Sequence, residues 1–359
     1  MLRSQRHSQI LHEIDLKGGL NVAEFSRRIG ASGMTIRRDL ALLEEQGLVE
    51  RVHGGAVKPR RHGASATARR LTPLATLGMV VPSANYYFPE IIRGAKAAVA
   101  EAGARLVLGI SEYSPDFERE QIARLVTNKV DGILATPSRS FHSDPATFEA
   151  LREVNVPVVV VERAVDSTAS YATLGAVRSN HAHGAALAVA HLMAQGHQRI
   201  ALARRESPTA PLVQEGYRHA LAAGDSKRTP IEFELPPSET PIGTLRQRLD
   251  ELLDACRDRA VDALIVLPDE VAISLLELAG DRGIAVPDDL ALVAYDDEVA
   301  SLASVPLTAV APPKFQVGYL AARTCIDQIL ASARGSAPEV LARVELLPVL
   351  NERESSRDG

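Results

Sequence analysis

Within SGMTIRRDLALLEEQGLVERVHGGA, residues 32–56, Ile36, Leu40 and Leu43 recur at helical spacing and predict a helix with one buried stripe. Thr35, Arg37 and Arg38 lie off that stripe. Just upstream a second amphipathic segment starts at Val22, with Asn21 placed to cap it and Glu24 at the third helical position. Gly30 suits the left-handed residue that ends this helix, Ser32 caps the next, and Gly47 stops it. A further helix over about 4–16 turns Ile10, Leu11 and Ile14 inward. After Gly47, Leu48-Val49 and Arg51-Val52 alternate like short strands around a His53-Gly54-Gly55 turn. Two short helices across a tight turn, then a small hairpin, form a winged helix-turn-helix layout. A helix that buries one side and projects adjacent arginines from the other suits a DNA major groove. The candidate DNA contacts are Ser32, Thr35, Arg37 and Arg38 on the helix, with Arg51 and His53 on the wing.

From Leu74 onward the pattern changes. Continuous apolar strands at 77–81, 105–109, 130–135 and 157–161 alternate with amphipathic helices near 89–102, 117–127 and 146–154. The rhythm restarts with strands at 171–176, 200–203, 263–266 and 290–295, and with helices at 181–195 and 212–223. Such strands, buried on both faces, imply parallel sheets covered by helices. Two sets imply two doubly wound lobes, with ligands at the carboxyl ends of the strands. Between head and body, KPRRHGASATARRLTP (residues 58–73) shows no sustained period and is expected to be a basic flexible linker, with a short hinge helix at its ATARRL piece as the alternative.

Length and charge fit this division. The 359 residues suffice for two or three cores, and 46% are apolar. No stretch reaches the roughly 18 apolar residues of a membrane span, and the polar N-terminus lacks a signal-peptide core, so a cytoplasmic protein is expected. Cys256 and Cys325 stand in no metal-like or disulfide-like spacing, so neither metal nor cofactor is expected. Residues 1–70 hold 13 Lys/Arg against 7 Asp/Glu, whereas the whole chain has net charge −5. A basic head on an acidic body is the electrostatic footprint of a DNA-binding module joined to something else.

The head resembles the DeoR family of bacterial regulators over residues 3–57. The resemblance rests on Thr35-Ile36-Arg37-Arg38-Asp39-Leu40, Leu43-Glu44, Gly47 and Arg51-Val52-His53-Gly54-Gly55-Ala56. Gly33-Met34 departs from the polar residue usual before the Thr. Residues 75–355 resemble the sensor domain of the LacI/GalR family, which shares its fold with periplasmic sugar-binding proteins. That resemblance rests on dispersed motifs in order, among them Pro82 to Phe88, Arg93-Gly94, Val130-Asp131-Gly132-Ile133, Val156 to Arg163, Gly216-Tyr217, Ala294-Tyr295-Asp296-Asp297 and Glu352-Arg353-Glu354-Ser355. It implies an α/β, periplasmic-binding-protein-like sensor with an effector between two lobes. The expected domains are 1–57, a linker at 58–73 and a sensor at 74–355. Lobe 1 is expected at about 74–163 and 298–330, and lobe 2 at about 168–296 and 331–352. The crossings are then placed near 162–167, 296–298 and the end of the helix around Leu330.

The resemblance also carries effector contacts onto Asn85, Tyr87, Phe88, Glu162, Arg163 and Asp296. Aromatic rings stack on the apolar face of a sugar while amides and carboxylates take its hydroxyls. As alternatives, Tyr87 and Phe88 plug the lobe interface, and Glu162-Arg163 forms a structural ion pair. Pro211, Pro268-Asp269 and Pro312 stand where the family often carries polar sugar contacts. Arg204-Arg205 stands where small residues are usual, and Arg204 joins the candidates as an anion-binding group, with a solvated surface pair as the alternative.

Together these features imply a homodimeric transcription regulator, most simply a repressor, that binds double-stranded operator DNA. Its effector would be a sugar or a phosphorylated or acidic sugar derivative, acting through lobe angle and the spacing of the reading heads. A cytoplasmic two-lobed enzyme on a small polar metabolite is the alternative, but no GxGxxG, P-loop or HExxH motif occurs. Isolated histidines such as His181 read as surface or capping residues.

Overall fold

A computed structural model describes residues 10, 13–14, 19–29, 32–45, 49–52, 54–57, 74–165, 174–223, 228–334 and 341–357. The chain forms two compact units, Met1–Thr72 and Pro73–Gly359. The expected linker and the helix-ending Gly30 and Gly47 lie outside the described residues, as do Leu11 and His53.

In the first unit, β1 (Gly19–Asn21) leads into α1 (Val22–Ile29), α2 (Gly33–Glu45), β2 (Glu50–Val52) and β3 (Gly55–Val57). The three strands form an antiparallel sheet in the order β1-β3-β2. The apolar stripe read from the sequence is its core: Ile36, Leu40 and Leu43 pack with Ile10, Ile14, Leu20, Val22, Phe25, Val49 and Ala56. Gly54 turns the hairpin at φ +83°, a conformation glycine adopts without a Cβ penalty. A Cβ on Gly55 would lie 1.9 Å from Leu20 O, so the wing packs directly on β1.

The second unit contains two six-stranded sheets. Lobe 1 alternates β4 (Thr76–Val81), α3 (Phe88–Glu101), β5 (Arg105–Ile110), α4 (Pro115–Thr127), β6 (Gly132–Ala135), α5 (Pro145–Glu153), β7 (Val158–Val161) and β8 (Gly175–Ser179). Lobe 2 alternates α6 (His181–Ala194), β9 (Ile200–Arg205), α7 (Ala210–Ala222), β10 (Ile231–Leu235), α8 (Ile242–Asp258), β11 (Ala263–Leu267), α9 (Asp269–Asp281), β12 (Ala291–Tyr295) and β13 (Thr308–Ala311). The chain then returns through α10 (Lys314–Ala333) and β14 (Arg343–Leu346) in lobe 1, and ends with β15 (Val349–Asn351) in lobe 2. The sheet orders are β14-β8-β7-β6-β4-β5 and β10-β9-β11-β12-β13-β15, all parallel except for β15 against β13.

The lobe boundaries differ from those read in the sequence. The strand near 171–176 was expected to open the second set; it is Gly175–Ser179, and it pairs with β7 in lobe 1. The chain therefore first crosses after Ser179, not near 162–167. It crosses back between Ala311 and Lys314, later than 296–298, because β13 still pairs with β12. The last crossing follows Leu346, because β14 pairs with β8 in lobe 1. Both β8 and β14 carry charge, with Arg178 paired to Glu345, so neither reads as a buried apolar run.

Glycines in the sensor motifs have a packing reason. A Cβ on Gly94 of α3 would sit 1.9 Å from Phe315 O, and one on Gly318 of α10 would sit 1.9 Å from Ile91 O. The two helices touch backbone to backbone and share a core with β4 and β7. Gly216 does the same for α7, where a Cβ would meet Ala182 O at 2.0 Å. Arg353 of the C-terminal motif forms a two-pronged bond to Asp297, at 2.7 and 2.9 Å, which anchors the chain end on lobe 2.

Candidate functional site

The head presents one polar face. Ser32 Oγ accepts the Thr35 N–H at 3.1 Å, so it caps α2 as its position suggested. Its hydroxyl also lies 2.8 Å from the Thr35 hydroxyl. Met34, Arg37 and Arg38 are exposed, while Ile36 and Leu40 beneath them are buried. α2 thus offers two exposed guanidinium groups beside its capped N-terminus, a surface that suits phosphate and guanine edges. Arg51 lies on β2, in the wing; its side chain and His53 fall outside the described residues.

In the sensor, the loops after β4, β7, β11 and β12 meet at the carboxyl ends of the strands. The turn after β4 supplies Tyr86 and Tyr87. The Tyr87 hydroxyl donates to Glu162 Oε1 at 3.0 Å, and Lys314 Nζ lies 5.0 Å from the centre of the Tyr87 ring. Tyr86 reaches across to lobe 2, donating to Asp269 Oδ1 at 2.5 Å and lying 3.3 Å from Asp296 Oδ2. Asp269 is held rigidly, because its other oxygen accepts the N–H groups of Glu298, Val299 and Ala300 at 2.7, 2.7 and 3.1 Å.

Glu162 is the centre of the lobe 1 side. It is 4% exposed and accepts the Ser179 N–H at 2.9 Å and the Ser179 hydroxyl at 2.6 Å. His181, at the start of α6 in lobe 2, approaches its second oxygen to 3.6 Å. Burial alone would raise the carboxyl, but His181 and the two Ser179 donors outweigh it and hold Glu162 down at about 2. Asp296 is the opposite case. Burial pushes it up to about 7; Lys314 opposes that, while Asp269 and Glu298 add to it. Lys314 donates to Asp296 O and pairs with Glu298.

These contacts sort the residues picked from the sequence. Tyr87, Glu162 and Asp296 are brought together. Phe88 instead belongs to the lobe 1 core with Ile91 and Met79, as the buried first residue of α3. Asn85 is exposed on the turn. Arg163 is buried, but its guanidinium donates to Pro137 O at 2.6 Å and Glu162 O at 2.7 Å. Arg204 and Arg205 are successive residues of one strand and point to opposite faces, so they do not converge on one anion. Arg205 donates to Pro236 O at 2.9 Å.

Four residues of the cluster were not picked: Tyr86, Asp269, His181 and Lys314. Asp269 had a usable signal. Pro268-Asp269 stands where the resembled family often carries Asn-Asp, so only the first position of the pair departs from a polar residue. The carboxylate remains, fully buried at the start of α9.

Two family models match the chain: a DeoR-like helix-turn-helix domain over residues 6–62 and a periplasmic binding protein-like domain over 189–356. Among curated relatives, the arabinose metabolism transcriptional repressor of Geobacillus stearothermophilus is 26% identical over 90% of this chain and 88% of its own. The ribose operon repressor of Escherichia coli (strain K12) is 29% identical over 84% and 88%. Among solved structures, a LacI family transcriptional regulator from Enterococcus faecium with bound ribose superposes with a TM-score of 0.61. It shares 25% identity over 79% of this chain and 98% of that one. The chain is a DNA-binding transcription regulator that joins a DeoR-like helix-turn-helix domain to a two-lobed, periplasmic-binding-protein-like sensor domain for a small-molecule effector, and it is similar to LacI-type regulators.

Proposed function

We propose that the chain represses genes of sugar metabolism, and that its effector is a neutral, hydroxyl-rich sugar held at the Tyr87–Glu162–Asp296 cluster. One observation carries this reading. The lobe-facing groups are mostly hydroxyl-accepting carboxylates (Glu162, Asp269, Asp296) around aromatic rings, and the nearby Arg163 is already committed to backbone carbonyls. Carboxylates with ring faces match hydroxyls and C–H faces; a phosphate would meet like charge. The repressors of arabinose and ribose genes, and the ribose-bound regulator, support the choice of a small sugar. An effector with different affinity for open and closed lobes then changes operator affinity by the same coupling factor.

The test is a thermal-unfolding panel of the purified full-length chain with pentoses, hexoses and their phosphate esters. A neutral sugar is expected to raise the midpoint of the sensor transition by several degrees at saturation. A larger shift from a phosphorylated sugar than from its neutral parent would remove the neutral-effector reading and favour an anionic one.

The second copy that operator half-sites imply has a candidate surface. β5 is an edge strand of the lobe 1 sheet, with Val107, Leu108 and Ile110 partly exposed, and Phe117 stands beside it on α4 at 52% exposure. An uncovered apolar edge is a template for association, and a twofold pairing buries it in both copies. Sedimentation equilibrium is expected to give twice the 38.5 kDa chain mass. A monomer at micromolar concentration would contradict the pairing.

A further inference from the structure

Tyr86 is the residue that neither the sequence pattern nor the proposed contacts explain. It sits on the lobe 1 turn after β4 at φ +53°, a left-handed conformation in which a bulky side chain is unfavourable. Across the gap, Asp296 is also at positive φ, +96°. Two such positions face each other, and what they gain is one contact: the Tyr86 hydroxyl between the carboxylates of Asp269 and Asp296. Backbone strain of this kind persists where the surrounding structure imposes it, and it collects at ligand clamps and switches.

We propose that Tyr86 is a built-in stand-in for an effector hydroxyl, holding the two lobes together in the absence of effector. The inference rests on the effector site proposed above and adds how that site is regulated. The acceptors are prepared: Asp269 Oδ2 is saturated by three backbone N–H groups, which leaves Oδ1 facing lobe 1. A phenol has one hydroxyl on a rigid apolar ring, so it presents what a sugar edge presents, from within the chain. Among the described residues, the links from His181 to Glu162 at 3.6 Å and from Lys314 to Asp296 O and Glu298 leave both Asp269 Oδ1 and Asp296 Oδ2 to Tyr86. An effector hydroxyl aimed at these oxygens must first displace the phenol. Tyr86 therefore lowers the apparent affinity for such an effector and sets the fraction of closed chain before it arrives.

The test is made on ligand-free full-length protein, so it does not depend on knowing the effector. Cysteines placed at the exposed Lys96 of α3 and Glu277 of α9 carry spin labels, while the native Cys256 and Cys325 are buried. The labelled chain is diluted into unlabelled chain, so each measured pair lies within one molecule. Pulsed dipolar spectroscopy is expected to give one narrow distance with Tyr86 present, and a longer, broader distribution after Tyr86→Phe. Tyr319→Phe, which removes a phenol–carboxylate bond to Glu101 within lobe 1, is expected to leave the narrow distance in place. Superimposable distributions for the parent and Tyr86→Phe would overturn the proposal. Failure of the effector reading looks different: Tyr86→Phe opens the lobes, yet no sugar of the panel shifts the distance in either protein.

Discussion

Replacing Arg37 and Arg38 together by Ala is expected to lower the affinity of the full-length chain for duplex DNA by about a hundredfold or more. Each guanidinium that reaches a base edge contributes on the order of 1–3 kcal/mol, and about 1.4 kcal/mol corresponds to tenfold. Both side chains are exposed and project from a helix whose other side is buried, so removing them leaves the head core of Ile36, Leu40 and Leu43 intact. The check is fluorescence anisotropy against a duplex that the parent chain selects from a pool of fragments, with the sensor's thermal transition followed in parallel. If either arginine touches phosphate, the slope of log affinity against log salt also falls by roughly one per lost contact. Unchanged affinity and slope would mean that α2 does not read the duplex.

The second large effect is expected at Glu162. Glu162→Ala removes the acceptor for the Ser179 N–H, the Ser179 hydroxyl and the Tyr87 hydroxyl, and takes away the carboxylate facing His181. All of these groups are buried or half-buried, so the donors are left unpaired, at an expected cost of about 3–5 kcal/mol in urea unfolding of the sensor at pH 7. The pH dependence has a definite sign. Glu162 is depressed from its ordinary 4.5 to about 2, so its contribution is complete above about pH 4.5 and is lost as pH falls toward 2. The gap between parent and variant should narrow over that window. A variant as stable as the parent at pH 7 would mean that Glu162 is not the anchor of the lobe 1 side.

The head was legible because its signals are local. Ile36, Leu40 and Leu43 keep helical period, Ser32 caps at the expected place, and the Gly54-Gly55 turn fixes the wing. The alternation of strand and helix through the sensor was legible for the same reason. What could not be read was the choice of sheet for β8 and β14, because their pairing partners lie far away in sequence and both strands carry charge. The site divides along the same line. Tyr87, Glu162 and Asp296 follow buried strands, which is where ligands gather in such folds. Phe88 follows the same strand but is the buried first residue of a helix and belongs to the core. His181 looked like an isolated capping residue, yet it lies 2% exposed between Glu162 and Tyr295 because the chain crosses between lobes immediately before it. Lys314 occupies the corresponding place at the return crossing. Neither has a local pattern to announce it, since each owes its position to where the chain changes lobe.

The most direct measurement is the affinity of the intact chain for its own selected duplex, followed from low to moderate salt. If the amino-terminal helix and wing hold DNA through their basic face, log affinity declines linearly with log salt, and a few phosphate contacts cost on the order of tenfold to a hundredfold over a fourfold rise in salt. A chain that enriches no duplex, or whose binding is indifferent to salt, would contradict the account.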